Sequence, residues 1–80
     1  MTLEQLAALP EGTKVRLWMD QYTEIGDESI DVYDYGVVLG SGPVVRIEWN
    51  GDFELTSLVD TKSKTWESFA RDIDEDPNQL

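Results

Sequence analysis

Carboxylates are the groups with which this chain could do chemistry, and one stretch concentrates them. Residues 20–34 carry six carboxylates and no cation: Asp20, Glu24, Asp27, Glu28, Asp31 and Asp34. A pair such as Asp20 with Glu24, or Asp31 with Asp34, can act as general acid and base where a dry cleft raises the pKa of one member. A chain of 80 residues has little room for such a cleft beside its core. We therefore expect a solvated acidic segment and no enzyme.

Two residue types common in catalytic and metal sites are missing from the sequence. It contains neither cysteine nor histidine, which excludes disulfides, thiolate and imidazole metal sites, and triads built on those side chains. Residues 72–76 alternate carboxylates like the start of an EF-hand loop, but Pro77 stands where that loop needs glycine. We expect no cofactor and no dedicated metal site.

Charge and apolar content together indicate one small folded domain with an acidic surface. The formal net charge is −11 at pH 7, and 40% of the residues are hydrophobic, more than a disordered chain of this charge normally has. Phosphate backbones and anionic lipids repel such a surface, so we expect a basic protein partner and no direct nucleic-acid or membrane binding. The N-terminal segment MTLEQLAALP has no basic region and no long apolar run, which predicts a cytoplasmic location.

The first third of the chain predicts a helical turn, a strand and a long loop. Thr2 and Gln5 have the spacing of a capping box, and Pro10 ends the apolar stripe that follows, so one or two helical turns are expected. Residues 13–19 alternate apolar and polar side chains and predict the first strand. Residues 20–30 are polar and acidic, which favours a long loop.

Three further strands are predicted as a meander, over residues 32–39, 44–49 and 53–59. The register that buries one apolar face pairs Tyr35 with Ile47, Val37 with Val45 and Ile47 with Leu55, and also buries Trp49 and Phe53. This parity requires a three-residue connection over residues 50–52, or a bulge. On the outer face it sets Glu48 across from both Asp34 and Glu54, an unfavourable arrangement of like charges.

The last part of the chain predicts a short amphipathic helix over residues 65–73. Apolar side chains recur there at helical spacing: Trp66, Phe69, Ala70 and Ile73. Ser63 or Thr65 is the expected cap, and the apolar face would plug an open end of the sheet. Carboxylates at the helix C-terminus oppose its dipole, so we expect a single domain over residues 1–73 and a disordered acidic tail over residues 74–80.

The order of these elements resembles a known class of small barrel. A first strand, a long loop, a glycine-containing strand (YGVV, residues 35–38), a strand ending in Trp49 and a tight turn look like the SH3-like barrels of the Tudor and KOW kind. The resemblance covers roughly residues 11–60. EGTKV (residues 11–15) is similar to the segment that opens such barrels, and VRIEW (residues 45–49) is similar to the segment that forms a central strand before the next turn. It implies a mainly β, SH3-like barrel of four to five antiparallel strands, with a short N-terminal helical turn and a C-terminal amphipathic helix.

The segment VYDY at residues 32–35 resembles the ALYDY motif of true SH3 domains, but it follows the acidic loop instead of preceding it. Proline-rich ligands are therefore not expected. Tudor-like barrels use aromatic cages for methylated ammonium groups, and four aromatic residues flank the loop here: Trp18, Tyr22, Tyr33 and Tyr35. The alternative is that Tyr35 belongs to the core while Trp18 and Tyr33 cover the sheet.

These observations favour a noncatalytic protein-interaction module whose acidic surface docks on a basic partner. The expected partner-binding residues are Asp20, Tyr22, Glu24, Asp27, Glu28, Asp31, Asp34, Glu48 and Glu54. One alternative is a mimic of DNA or RNA, a type of small acidic protein that phages often encode. Another is a structural subunit of a larger assembly, marked by exposed apolar residues such as Val38, Val44 and Leu58. The sequence leaves the oligomeric state open.

Overall fold

The computed structural model describes residues 1–23 and 29–78, with the backbone alone for Tyr22, Thr23 and Phe53. The elements in chain order are α1 (Leu3–Ala7), β1 (Lys14–Thr23), β2 (Ser29–Gly40), β3 (Val44–Trp49), β4 (Asp52–Asp60), a 3₁₀ turn (Lys64–Trp66), α2 (Glu67–Arg71) and β5 (Ile73–Glu75). The strands form one antiparallel sheet in the order β4-β3-β2-β1-β5. The predicted mainly β fold and its meander of antiparallel strands are confirmed.

Strand β5 occupies residues that the sequence analysis divided between a helix and a disordered tail. Val15 pairs with Glu75 and Leu17 with Ile73, and the Asp76 N–H donates to the Lys14 carbonyl at 2.9 Å. Ile73 is fully buried, so burial of this side chain anchors the strand. The helix itself is short, because α2 ends at residue 71 and a 3₁₀ turn precedes it.

Strands β1 and β2 extend into the region predicted as a loop. Trp18 pairs with Tyr33, and after a register shift at Met19 the ladder continues from Asp20 opposite Val32 to Thr23 opposite Ser29. We call residues 18–23 and 29–34 the arm. The polar side chains of this region therefore stand on an extended hairpin, and the loop prediction is wrong for residues 20–23 and 29–30.

The register of the central strands differs from the predicted one. Ile47 faces Val38 on β2 and Ser57 on β4, while Val45 faces Val59. Gly36 and Val38 therefore belong to the core face, and Tyr35 and Val37 lie on the other side. The pairs of Ile47 with Tyr35 and Leu55, and of Val37 with Val45, are wrong. The Phe53 side chain lies outside the described part of the chain.

The connection between β3 and β4 is a two-residue turn followed by a bulge. Asn50 and Gly51 both have positive φ, 56° and 68°, as the mirror-image hairpin turn requires. Trp49 faces Asp52 on β4, and the register then shifts between Trp49 and Glu48. Glu48 faces Thr56 on β4 and Val37 on β2. The bulge alternative is thus confirmed, whereas the three-residue connection is wrong.

Because Glu48 faces Val37 and Thr56, the predicted row of like charges is also wrong. Asp34 faces Leu17 on β1. The carboxylates of Asp34, Glu48 and Glu54 therefore do not oppose one another directly across the sheet.

The core lies on one face of the sheet and includes side chains from both ends of the chain. Its buried residues are Leu6, Leu9, Val15, Val38, Val45, Ile47, Trp49, Val59, Ala70 and Ile73. The Thr2 hydroxyl accepts from the Gln5 N–H at 3.1 Å and the Gln5 side chain accepts from the Thr2 N–H at 2.8 Å, so the predicted capping box of α1 is confirmed. The Met1 amino group donates to the carbonyls of Ala70 (2.9 Å) and Ile73 (2.7 Å), which joins the two ends.

Candidate interaction surface

The arm stands apart from the core. Where the side chains of residues 18–34 are described, none is buried. An isolated two-stranded hairpin is at best marginally stable in water. Contacts between the two strands must therefore hold the arm in shape.

Asp31 supplies one of these contacts. Its Oδ1 accepts hydrogen bonds from the indole Nε1 of Trp18 and from Nε2 of Gln21, both at 3.1 Å. Gln21 lies directly opposite Asp31, and its own N–H donates to Oδ1 of Asp20 at 2.7 Å. Two of the predicted partner-binding carboxylates thus also organise the arm, and both residues remain exposed.

Aromatic side chains line the outer sheet face at the base of the arm. Trp18 faces Tyr33 across β1 and β2, and Arg16 faces Tyr35. The Arg16 guanidinium carbon lies 4.2 Å from the centroid of the Tyr33 ring, which is the geometry of a cation–π contact. The Tyr33 and Tyr35 rings are 6.4 Å apart at 47°. We call Arg16, Trp18, Tyr33 and Tyr35 the aromatic face.

This arrangement decides between the two roles considered for the aromatic residues. Tyr35 is 49% exposed, so its assignment to the core is wrong. Trp18 and Tyr33 cover the outer side of the sheet, and Arg16 already occupies one side of the Tyr33 ring. The rings stand side by side on a sheet face and not around a hollow, which does not favour a methylammonium cage. The Tyr22 side chain lies outside the described part of the chain.

The predicted acidic residues do not form one continuous surface. Asp20 and Asp31 lie in neighbouring rows of the arm. Asp34 is half-buried at its base, Glu48 is half-buried in the middle of the sheet, and Glu54 is exposed beyond the β3–β4 turn. Glu24, Asp27 and Glu28 lie outside the described residues. The structure thus places two of the described carboxylates in neighbouring rows of the arm, on opposite faces.

A group of exposed apolar residues stands on the other half of the sheet. Val44 is 49% and Leu58 57% exposed, and Leu39 nearby is 39% exposed. They stand on β2, β3 and β4, where Leu58 faces Arg46. Val38 was expected with them but is fully buried. We call Leu39, Val44 and Leu58 the apolar patch.

The sequence analysis missed Arg16 as a site residue. The signal in the sequence is the position of Arg16, which stands two residues before Trp18 on the same strand and so shares its face of the sheet.

The structure also bears on the proposed acid–base pair of Asp31 and Asp34. Three residues apart on one strand, their side chains point to opposite faces, which does not suit joint action on one substrate.

Neither a metal site nor a membrane helix is found in the part of the chain that the structure describes. No cluster of three or more acidic side chains there is suited to hold a metal ion. The α-helices α1 and α2 have five residues each, and no helix in residues 1–23 or 29–78 is long and apolar enough to cross a membrane.

Comparisons with protein-family models, curated proteins and solved structures found no match.

Proposed function

We propose that this protein is a noncatalytic, cytoplasmic protein-interaction module that docks its acidic arm on a basic surface of a partner protein. The observation that carries the proposal is the arm itself. In the sequence, residues 18–34 hold six carboxylates and no cation. Three of these carboxylates, Asp20, Asp31 and Asp34, stand on the described strands of the arm, where no described side chain is buried. A projecting element of one charge sign can reach a complementary surface on another molecule.

Electrostatics gives the arm a physical role in association. The nearest cations along the chain are Arg16 and Arg46, and Arg16 lies on the Tyr33 ring. The arm therefore has a negative field that attracts basic surfaces and raises the rate of encounter. The Asp20 and Asp31 carboxylates are exposed, so salt screens them readily.

An SH3-like barrel is the scaffold that we propose for this module. The support is the chain path: five consecutive antiparallel strands, of which the last returns to pair with the first. That path leaves the ends of β1 and β2 free to extend beyond the core as the arm. Loops and hairpins on a rigid β scaffold are common places for binding residues.

A second candidate function rests on the apolar patch. Exposed apolar side chains that cluster on one sheet face mark contacts with other proteins more often than scattered ones do. Leu39, Val44 and Leu58 favour a role as a structural subunit of a larger assembly. Nucleic-acid mimicry has less support, because Asp20 and Asp31 point to opposite faces of the arm and Glu48 and Glu54 lie on other strands.

The test is affinity capture from the native host at low salt, followed by binding measurements with the retained protein. The double variant Asp20→Asn and Asp31→Asn removes two arm charges and keeps an oxygen acceptor at both positions. The matched control is Glu4→Gln with Glu11→Gln, two exposed carboxylates outside the arm.

We expect the arm variant to bind more weakly than the control, and binding to weaken as the Debye length falls from about 30 Å to about 8 Å. Equal binding by both variants, or binding insensitive to salt, contradicts the proposal and favours the structural subunit. Competition by nucleic acid for the same site on the partner would favour mimicry instead.

A further inference from the structure

The aromatic face already holds one guanidinium group. Arg16 reaches across from β1 and stacks at 4.2 Å from the centroid of Tyr33 on β2. Arginine stacks in this way because its guanidinium is planar and weakly hydrated. The contact shows, within the chain, which chemical group this surface accepts.

Two further rings of the same face are open to solvent. Tyr35 is 49% exposed and stands two residues after Tyr33 on β2. Trp18 is 39% exposed and faces Tyr33 from β1. The cation–π contact shown for Arg16 is with Tyr33. The face thus has one ring that carries a guanidinium and two rings that remain exposed.

A carboxylate borders one of the two open rings, and another stands beside Arg16. The Trp18 indole donates to Oδ1 of Asp31, and the other oxygen of that carboxylate takes no part in this bond or in the bond from Gln21. Asp74 stands beside Arg16 on β5 and is exposed. A guanidinium on the Trp18 ring would therefore lie near the Asp31 carboxylate, which favours a charged planar donor.

Resting on the proposed function, we propose that the aromatic face binds arginine side chains of the basic partner, which stack on Trp18 and Tyr35. The occupant is an extended protein segment with several arginines. A lysine-rich segment has the same charge but has a compact, strongly hydrated ammonium in place of the planar group. The face thereby selects arginine over lysine, whereas the charge of the arm alone would not distinguish them.

The experiment uses the full chain and two synthetic peptides. In one peptide arginine alternates with serine, and in the other lysine replaces every arginine. Their dissociation constants are measured at low salt by calorimetry. We expect the arginine peptide to bind about threefold to tenfold more tightly than the lysine peptide, as one or two exposed cation–π contacts would give.

Substitutions at Tyr35 separate the contribution of the aromatic ring from that of an apolar side chain. Tyr35→Leu keeps an apolar side chain but removes the ring, and it should weaken the arginine peptide about twofold to fivefold while leaving the lysine peptide unchanged. Tyr35→Phe keeps the ring and should keep the preference. Leu55→Ala, outside both the aromatic face and the apolar patch, is the control for an exposed side chain elsewhere on the sheet.

The outcomes distinguish this inference from the proposed function. Equal affinity for the two peptides, unchanged by Tyr35→Leu, overturns arginine recognition and leaves the acidic arm as the binding element. Failure of both peptides to bind at low salt overturns the proposed function as well. If Tyr35→Leu unfolds the protein, as judged by circular dichroism, Trp18→Leu provides the same comparison on the second ring.

Discussion

A Cβ atom on Gly36 would lie 2.7 Å from Cε3 of Trp49, the residue that faces it across β2 and β3. The same atom would lie 2.9 Å from the Glu48 carbonyl oxygen and 2.9 Å from Cγ2 of Ile47. Trp49 is 7% exposed and Ile47 is fully buried. The tryptophan ring thus lies against the glycine backbone, and this contact explains why β2 turns Gly36 and Val38 toward the core.

Gly36→Ala should therefore destabilise the protein. The added methyl group meets backbone as well as side chains, and overpacking of this kind costs about 1–3 kcal/mol. Urea unfolding followed by tryptophan fluorescence measures the change. Gly40→Ala, on the same strand, is the matched control, because its nearest neighbour would be Arg46 Cδ at 3.8 Å; a similar loss at both positions would contradict the assigned contact.

Removing the hydrogen-bond partner of Trp49 should also lower stability. The indole Nε1 donates to the Ser57 hydroxyl at 2.9 Å, and Ser57→Ala leaves that part-buried donor without an acceptor, at a cost of about 1–3 kcal/mol in the free energy of unfolding. Ser68→Ala on the exposed side of α2 is the control. In the background Trp49→Phe, Ser57→Ala should have a much smaller effect, and additive losses would show that the bond contributes little.

The N-terminal helix should prove to be part of the core. Leu6 is fully buried, whereas Leu58 is 57% exposed. Leu6→Ala is expected to cost about 2–5 kcal/mol in unfolding free energy, because it leaves a cavity. Leu58→Ala should change it by less than about 0.5 kcal/mol. Chemical denaturation of the two variants tests this, and equal effects would mean that α1 packs only loosely.

The arm should open independently of the rest of the domain. Asp31→Ala removes the acceptor of the bonds from Trp18 and Gln21, so amide hydrogen exchange in residues 18–23 and 29–34 should accelerate while the unfolding free energy of the domain changes little. Asp31→Asn keeps an oxygen acceptor and should exchange more slowly than the alanine variant. Acceleration spread over β3 and β4 would indicate that the arm and the core unfold together.

Prediction from the sequence succeeds where a strand has one buried face. Strand β3 matches its predicted bounds because the buried Val45, Ile47 and Trp49 alternate with exposed or half-buried residues between two turns. It fails for the neighbouring β2, where Tyr35 and Val37 are as apolar as Val38. The packing of Trp49 on Gly36 decides which of them turn inward, and a glycine carries no hydrophobic signal for that choice.

The arm shows a second limit of prediction. Hydrophobic alternation identifies a strand only when one face is buried, and the described side chains of the arm are solvent-accessible on both faces. The sequence therefore predicts the charge of this segment but not its shape. The register shift at Met19, which places Asp31 beside Trp18 and Gln21, depends on pairing across the hairpin and has no local signature.

The pairing of β5 with β1 has a consequence for how the chain folds during synthesis. Val15 pairs with Gly36 on one side and with Glu75 on the other, and Leu6 shares its core with Ile73. In the contacts with Glu75 and Ile73, the ribosome makes one partner long before the other. A nascent chain must wait for these late residues before its first strand is flanked on both sides, and such distant contacts slow the search. During that wait, the net charge of −11 makes unfinished chains repel one another.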